Sequence, residues 1–313
     1  MKRAFVLGAG LGTRLKTLTD RRPKSLIHIY GKPLITFAFD QLIAAGIEEI
    51  VVNTHHCHEA YETEFPGRRY HTARLIFEHE PVLLETAGGI KNVERHFEGE
   101  AFLVYNGDIL TNLPVAKVLE YHRASGNEVT MALRSNGEPL HVALDGGRVV
   151  DIAGRLGVLD APRHLFTGIY VVEPAFLRRI PEETKISVIP LFMEMIKEGG
   201  GKLGGVVVDE GIWWDLGTRE KYLDAHAALA EGPDFFGDGR EWRTRVNGTA
   251  QVAAGARLEG FAAVGEDAAI EEGAQVTDCI LWEGARVLAG SVLDRCIVTS
   301  GRIAAGRQTG IDF

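Results

Sequence analysis

Between Val246 and Val276 an aliphatic residue returns at every sixth position: Val246, Val252, Leu258, Val264, Ile270 and Val276. An alanine stands four positions after each of the first five, at Ala250, Ala256, Ala262, Ala268 and Ala274. A period of six matches neither the 3.6-residue helical turn nor the two-residue alternation of a strand, and the interspersed glycines exclude a stable helix. It fits a parallel β-helix, with each hexapeptide forming one side of a triangular coil. The aliphatic residue is expected to fill the interior and the small one to let the corner turn. The frame slips after Ile280, but apolar residues continue to Val298. Residues 246–313 leave room for fewer than four coils of eighteen.

Upstream the rhythm is different. Residues 1 to about 230 alternate strand-like and helix-like segments. Ala4–Leu7 is a short apolar run that stops at glycines, as a buried parallel strand does. Pro33 opens a helix running through Ala45, ended by Gly46. Glu49–Asn53, Leu75–Glu78, Ala101–Tyr105 and Val129–Leu133 read as further strands, and Gly89–Phe97 and Pro114–Ala124 as helices. This βαβ pattern predicts an α/β, Rossmann-like, mostly parallel sheet with helices on both faces. In such sheets ligands bind at the carboxyl ends of strands, which puts Gly8–Arg14 and Asn106–Asp108 in one crevice. Gly232–Trp242, rich in Gly and Asp, reads as a linker. The expected domains are therefore residues 1–231, a linker over 232–245, and the coil over 246–313.

Composition narrows the class. Hydrophobic residues make up 45% and charged residues 25% of the 313, as in soluble globular proteins. No apolar run reaches the roughly 18 residues that span a bilayer, and the apolar stretch after Lys2-Arg3 breaks at Gly8, too early for a signal peptide. A cytoplasmic protein without membrane contact is expected. Cys57, Cys279 and Cys296 match no zinc or redox spacing and read as buried thiols. The net charge of −9 argues against nucleic-acid binding. Yet residues 1–32 carry eight basic side chains (Lys2, Arg3, Arg14, Lys16, Arg21, Arg22, Lys24, Lys32) against one acid, Asp20. That imbalance suits either a local anion site or a solvated basic face.

Leu7-Gly8-Ala9-Gly10-Leu11-Gly12-Thr13-Arg14 follows the first strand. Alternate glycines let backbone approach a ligand closely and present N–H groups to it. Two common readings of such a loop fail here. The dinucleotide fingerprint needs glycine where Thr13 stands, and the P-loop needs Lys-Ser/Thr after its last glycine, where Thr13-Arg14 follows Gly12. What remains is a loop closed by Arg14, with Pro23-Lys24 nine residues on. Arg chelates oxygens bidentately and Lys acts as a point charge, so the two suit a polyphosphate.

The combination Gly8-x-Gly10-x-Gly12-Thr13-Arg14-x-x-x-Leu18-Thr19-x-x-x-Pro23-Lys24-x-Leu26 resembles the signature of the sugar-nucleotide pyrophosphorylases, the sugar-1-phosphate nucleotidylyltransferases. The resemblance extends over nearly the whole chain, since the tail looks like the left-handed β-helix many members carry. Thr17 stands where these enzymes usually have proline, and Gly8 where they usually have alanine.

The resemblance implies roles for other segments. Gly8, Ala9, Gly10, Gly12 and Thr13 would cradle the nucleotide, with Arg14 and Lys24 catalytic and Asn106 also at the nucleotide. Asp108, in Asn106-Gly107-Asp108, and Asp215, in Trp213-Trp214-Asp215-Leu216-Gly217-Thr218, would jointly hold Mg²⁺. On the residues alone, Asp108 reads first as a turn residue and Asp215 as the cap of a helix starting near Thr218. Glu85-Thr86-Ala87-Gly88-Gly89 would read the nucleobase through Glu85, Thr86 and Gly88, with an ordinary helix start as the plainer alternative. Phe166-Thr167-Gly168-Ile169-Tyr170 would lie beneath the sugar, with Gly168 allowing close approach; Lys185 would meet the sugar phosphate, with an ordinary surface lysine as the plainer reading. His55-His56-Cys57-His58 suggests zinc only superficially, because neighbouring strand residues face opposite ways.

The implied reaction is in-line attack of a sugar-1-phosphate oxygen on the α-phosphorus of a nucleoside triphosphate, carried by positioning and charge neutralisation without a protein nucleophile. The tail also admits other readings. A β-helix acyltransferase would use a histidine base, but no histidine follows His226. A catalytically silent assembly subunit would exploit the open end coil, which also predicts a homo-oligomer; pyrophosphate release separates that reading from an active enzyme. Glu85-Thr86 and Asn106-Gly107-Asp108 are similar to N-acetylmuramate-1-phosphate uridylyltransferases, whereas the tail is more like that of mannose-1-phosphate guanylyltransferases.

Overall fold

The computed structural model describes residues 1–10, 12–231 and 244–313, so the linker expected over Gly232–Trp242 lies outside the described residues. The chain forms two compact units: Met1–Leu11 with Phe37–Trp213, and Gly12–Thr36 with Trp214–Phe313.

The first unit is built on a ten-stranded sheet. Its strands are β1 (Arg3–Leu7), β2 (Glu49–Thr54), β3 (Arg69–Tyr70), β4 (Ala73–His79), β5 (Phe102–Asn106), β6 (Val129–Arg134), β7 (Val142–Asp145), β8 (Arg148–Ile152), β9 (Arg163–Val172) and β10 (Leu203–Val207), in the order β7-β8-β10-β6-β9-β5-β1-β2-β4-β3. β1 has a parallel neighbour on each edge, and Ala4, Phe5 and Val6, which alternate between its two faces, are all fully buried, so both faces are covered. That explains its unbroken apolar run. Its last residue, Leu7, stands level with Asn53 of β2 and Asn106 of β5. Three carboxyl ends therefore finish together.

β9 runs antiparallel to both β5 and β6, a reversal the sequence pattern does not reveal. Its register with β6 slips between Phe166 and Tyr170, where Gly168 adopts φ 82°. Expected boundaries move elsewhere. The helix expected over Gly89–Phe97 is α2, Glu85–Asn92, followed by a separate 3₁₀ turn over Glu94–His96. α1 (Leu34–Ala44) and α3 (Val115–Ser125) lie within a residue of expectation. α4 (Val188–Glu198) is capped by Ser187, whose hydroxyl accepts from the Ile189 amide.

The second unit contains the coil as three parallel sheets with triangular succession. Early rungs repeat at eighteen residues, Gln251 opposite Ala269 and Arg257 opposite Gln275. The next repeat at seventeen, Ala263 opposite Ile280 and Ala269 opposite Arg286. The last repeat at fifteen, Val292 opposite Arg307. The frame slip after Ile280 is thus a shortening of the coil, not its end. Val264, Ile270, Val276, Leu281, Val287 and Leu293 fill the interior, as expected. Two details differ. Ala262, Ala268 and Ala274 share that interior rather than only easing corners, and Val246 and Val252, in the first coil of the described residues, remain 37% exposed.

The coil does not stand alone in its unit. Tyr30 Oη donates to the carbonyls of His226 (2.8 Å) and Phe261 (3.3 Å). Trp282 Nε1 donates to Tyr222 Oη at 3.3 Å, and the Arg22 guanidinium lies over the Trp282 ring. These aromatic and polar contacts tie residues 12–36 and helix α5 (Arg219–Glu231) to the coil. The expected boundary at residue 231 therefore does not coincide with the division into compact units. Among the described residues, no helix is long and apolar enough to cross a membrane.

Candidate functional site

At the carboxyl end of β1 the chain turns through Gly8 and Ala9. Their amides donate to one oxygen, Asn53 Oδ1, at 2.9 and 3.2 Å. Tyr61 Oη donates to the Gly8 carbonyl at 3.1 Å. These two N–H groups are therefore turned inward, correcting the expectation that they face a phosphate. The reason is physical: Asn53, only 2% exposed, needs donors for its side-chain oxygen, and these partly buried amides at the strand end supply them. A Cβ on Gly8 would lie 2.6 Å from Tyr61 Oη, so the alanine usual at this position would not fit here. Gly10 has open space around it.

Gly107 follows Asn106 and donates its amide to the Leu7 carbonyl at 2.9 Å. A Cβ there would lie 2.8 Å from that oxygen, so only glycine lets the turn sit against β1. Asp108 follows, half-buried. Gly8–Ala9 and Asn106–Asp108 therefore share one strand-end region. Gly168 meets it from β9: a Cβ at Gly168 would be 2.6 Å from Asn106 Nδ2. Thr167 is fixed on both sides, its hydroxyl donating to the Ala132 carbonyl and its own carbonyl accepting from Trp213 Nε1.

The segment Glu85–Gly89 opens α2, as expected. The amides of Ala87 and Gly88 both donate to the Ile186 carbonyl, and Thr86 Oγ1 accepts from the Val188 amide. The Gly88 amide is thus used within the fold. Its missing side chain matters instead, because a Cβ would stand 2.4 Å from the Thr184 carbonyl. Lys185 is exposed, 4.0 Å from the Glu85 carboxylate, so the expected sugar-phosphate and base-reading residues are neighbours. His55 Nδ1 meets the Glu80 carbonyl, His56 meets the Cys57 thiol and His58 packs on the His79 ring, so the histidine run diverges to separate partners.

In the second unit, Gly12 has φ 59°, and its carbonyl accepts from the Leu15 amide and Thr19 Oγ1. The 3₁₀ turn Thr13–Thr19 carries Arg14, and a second, Lys24–Leu26, begins after Pro23. Lys24 is only 9% exposed, and its Nζ lies 3.6 Å from Asp215 Oδ1. Lys221 Nζ reaches the other Asp215 oxygen at 3.1 Å. A Cβ on Gly217 would lie 2.8 Å from Arg14 Nη2 and 2.9 Å from Asp215 Oδ1, so this glycine makes room for both. The cap of α5 is not Asp215 but Thr218, whose hydroxyl accepts from the Lys221 amide. Burial alone would raise the Asp215 pKa, but Lys24, Lys221 and Arg14 together hold it below the ordinary carboxylate value.

Of the residues the sequence singles out, the structure brings Arg14, Lys24 and Asp215 together; their neighbour Lys221 and the buried pair Asn53 and Glu80 were not among those expected. Asn53 had a signal, a lone polar residue closing the apolar run Ile50-Val51-Val52. Lys221 had none, because a lysine in a first helical turn is ordinary.

A family model described as nucleotidyl transferase matches residues 3–232. A mannose-1-phosphate guanylyltransferase of Mycobacterium tuberculosis is 32% identical over 93% of this chain and 83% of that protein. An N-acetylmuramate alpha-1-phosphate uridylyltransferase of Caulobacter vibrioides is 32% identical over 74% of this chain and 98% of that protein. The solved structure of HddC from Yersinia pseudotuberculosis covers 72% of this chain and 98% of its own, with a TM-score of 0.59 at 22% identity, and supports the fold.

Proposed function

This chain belongs to the nucleotidyl transferase family, and we propose that it transfers a nucleotidyl group from a nucleoside triphosphate to a sugar-1-phosphate, releasing pyrophosphate. The observation that carries the reading is the largely buried Lys24 ammonium beside an ionised Asp215, with Arg14 close by. A largely buried cation beside a carboxylate is placed to meet a phosphate oxygen in a setting where charge is weakly screened. Arg14 would grip the triphosphate, and Lys24 would neutralise charge developing at the α-phosphate.

Mg²⁺ takes hard oxygen ligands and is commonly held by one or two carboxylates plus substrate phosphates. Asp215, kept ionised by its cations, and the half-buried Asp108 have the chemistry to hold it. When bound, the ion would neutralise phosphate charge and orient the reacting oxygens. Gly10, Gly12 and Thr13 remain the loop residues proposed to meet phosphates. Asn106 would bind the nucleotide, Gly168 would lie beneath the sugar, and Thr86 and Glu85 would line the base, with Lys185 at the sugar phosphate.

Guanylyl transfer to mannose-1-phosphate is the leading assignment, because the match to that relative covers 93% of this chain and so extends into the coil. Uridylyl transfer to N-acetylmuramate-1-phosphate is the second, favoured by the 98% of that relative which aligns. Pyrophosphate release from each nucleoside triphosphate paired with each sugar-1-phosphate tests both. The expected result is the highest kcat/KM with GTP and mannose-1-phosphate. Release with no pair at all would overturn the transferase reading.

A further inference from the structure

We propose that Asn53 and Glu80 are positioning residues for nucleotide binding, acting as an ordered donor–acceptor relay between the start of the glycine loop and the start of the base loop. The inference rests on the transferase reading above.

Both side chains are almost wholly buried, Asn53 at 2% and Glu80 at 1% exposure. Asn53 Oδ1 accepts from the amides of Gly8 and Ala9. Asn53 Nδ2 donates to Glu80 Oε1 at 2.7 Å. Glu80 Oε2 accepts from the Leu84 amide at 3.0 Å, one residue before Glu85. Hydrogen bonds thus run unbroken from Gly8–Ala9 to the residue that precedes the base loop. The backbone also makes way for the pair, since a Cβ on Gly89 would lie 2.9 Å from Asn53 Nδ2 and 3.0 Å from Glu80 Oε1.

Burying a carboxylate is costly unless its oxygens are matched by donors. Desolvation raises the Glu80 pKa, and the bonds from Asn53 and Leu84 oppose that. An apolar pair could fill the same space, but it would leave the Gly8 and Ala9 amides without partners. Asn53 fixes which way those two peptide planes face. Just beyond them, a Cβ at Gly10 would meet nothing within 4 Å. The order of the relay is also fixed: Asn53 must accept toward the loop and donate toward Glu80, and Glu80 must accept at both oxygens.

That order allows a reciprocal test. In Asn53→Asp two carboxylates meet at hydrogen-bond distance. In Glu80→Gln the single amide oxygen serves only one of two donors. In the double variant Asn53→Asp/Glu80→Gln, the new carboxylate at position 53 would accept from Gly8, Ala9 and the new side-chain amide at position 80. The oxygen of that amide would accept from Leu84. Every bond is remade at unchanged net charge. Titration calorimetry with each nucleoside triphosphate in magnesium buffer, without sugar phosphate, reads binding directly, while steady-state kinetics and Tm read catalysis and folding. Each single variant is expected to weaken triphosphate binding about tenfold or more and to raise KM more than it lowers kcat. The double variant is expected to return within about threefold of wild type. Single variants that lower Tm but bind nucleotide normally overturn the proposal, and so does a folded double variant that stays weak. Should a single variant fail to fold, the double variant decides alone by the same criterion. A wild-type protein that binds no triphosphate overturns the transferase reading and this inference with it; normal wild-type binding with no effect in the variants overturns this inference only.

Discussion

Lys24 Nζ stands 3.6 Å from Asp215 Oδ1, in a setting where the lysine is nearly dry and the carboxylate is shared with Lys221. The pair stores a positive charge without leaving it unpaired. Lys24→Ala is expected to lower kcat by roughly 10²–10³, the usual cost of deleting one charge-stabilising group, with a modest change in Tm because Lys221 still faces Asp215. Asp215→Asn should be worse for folding, since it removes the carboxylate that Lys24, Lys221 and Arg14 share. Asp215 has its folded pKa below the ordinary value of 3.8, so its stabilising contribution is present above that pH and is lost as pH falls through the lowered value. Acid unfolding of Asp215→Asn should therefore lose part of its steepness below about pH 4.

Asp108→Asn keeps the size of the side chain and removes its charge. If Asp108 helps to hold Mg²⁺, the variant should fold with wild-type Tm, release pyrophosphate at least about 100-fold more slowly, and require more Mg²⁺ for half-maximal rate. Chelation of divalent ions should abolish release by the wild type. Full activity in Asp108→Asn would remove this residue from the metal site.

His226 is completely buried between the rings of Tyr30 and Tyr222. Its Nδ1–H donates to the Tyr222 carbonyl, while Nε2 faces the Tyr30 amide, which fits a neutral ring. Burial lowers its pKa to about 4, against an opposing backbone hydrogen bond. The unfolded chain binds a proton near pH 6.5 that the folded chain refuses, so stability falls as pH drops from about 6.5 to about 4 and levels off outside that window. The integrated effect is roughly 3 kcal/mol. Urea unfolding of wild type and His226→Gln across this range should give a difference in ΔG that narrows as pH falls. A parallel offset at every pH would exclude the effect.

The coil and the glycine turn after the first strand were legible because each depends on local sequence: a six-residue period from Val246 to Val276, and glycines at alternate positions from Gly8 to Gly12. The shortening of the coil to seventeen and then fifteen residues was not legible past Ile280, because a changing period erases the pattern it would be read from. The reversed strand Arg163–Val172 was equally hidden, since alternation gives a strand's faces but not its direction. The inward turn of the Gly8 and Ala9 amides depends on Asn53, some 45 residues away in sequence. Such long-range partners leave no local trace, so a glycine-rich stretch shows that backbone approaches something without showing what.

Gly168 joins a register slip, φ 82° and contact with Asn106 at one residue. Gly168→Ala would strain the backbone and push on the Asn106 side chain, whose Nδ2 would be 2.6 Å from the new methyl group. A loss of about 1–3 kcal/mol in stability is expected. Because Asn106 precedes Gly107-Asp108, activity should fall further than stability accounts for. A kcat/KM that stays at the wild-type value well below the Tm of the variant would show that Gly168 serves folding alone.

At the coil corner Gly260 has φ 61°, and a Cβ there would lie 1.8 Å from Asp278 Oδ1, an oxygen that accepts from the Phe261 amide at 3.0 Å. Asp278 itself has φ 50° at the corner of the next coil. Two successive corners are thus joined through one carboxylate. Gly260→Ala should lower stability by roughly 2 kcal/mol or more, combining left-handed strain with displacement of that carboxylate. Asp278→Ala removes only the hydrogen bond and should cost about 1 kcal/mol. The double variant relieves the clash but not the strain, so it should be less destabilised than the sum of the single variants. Chemical unfolding of the four proteins measures this coupling, and strict additivity would mean that the two corners act independently.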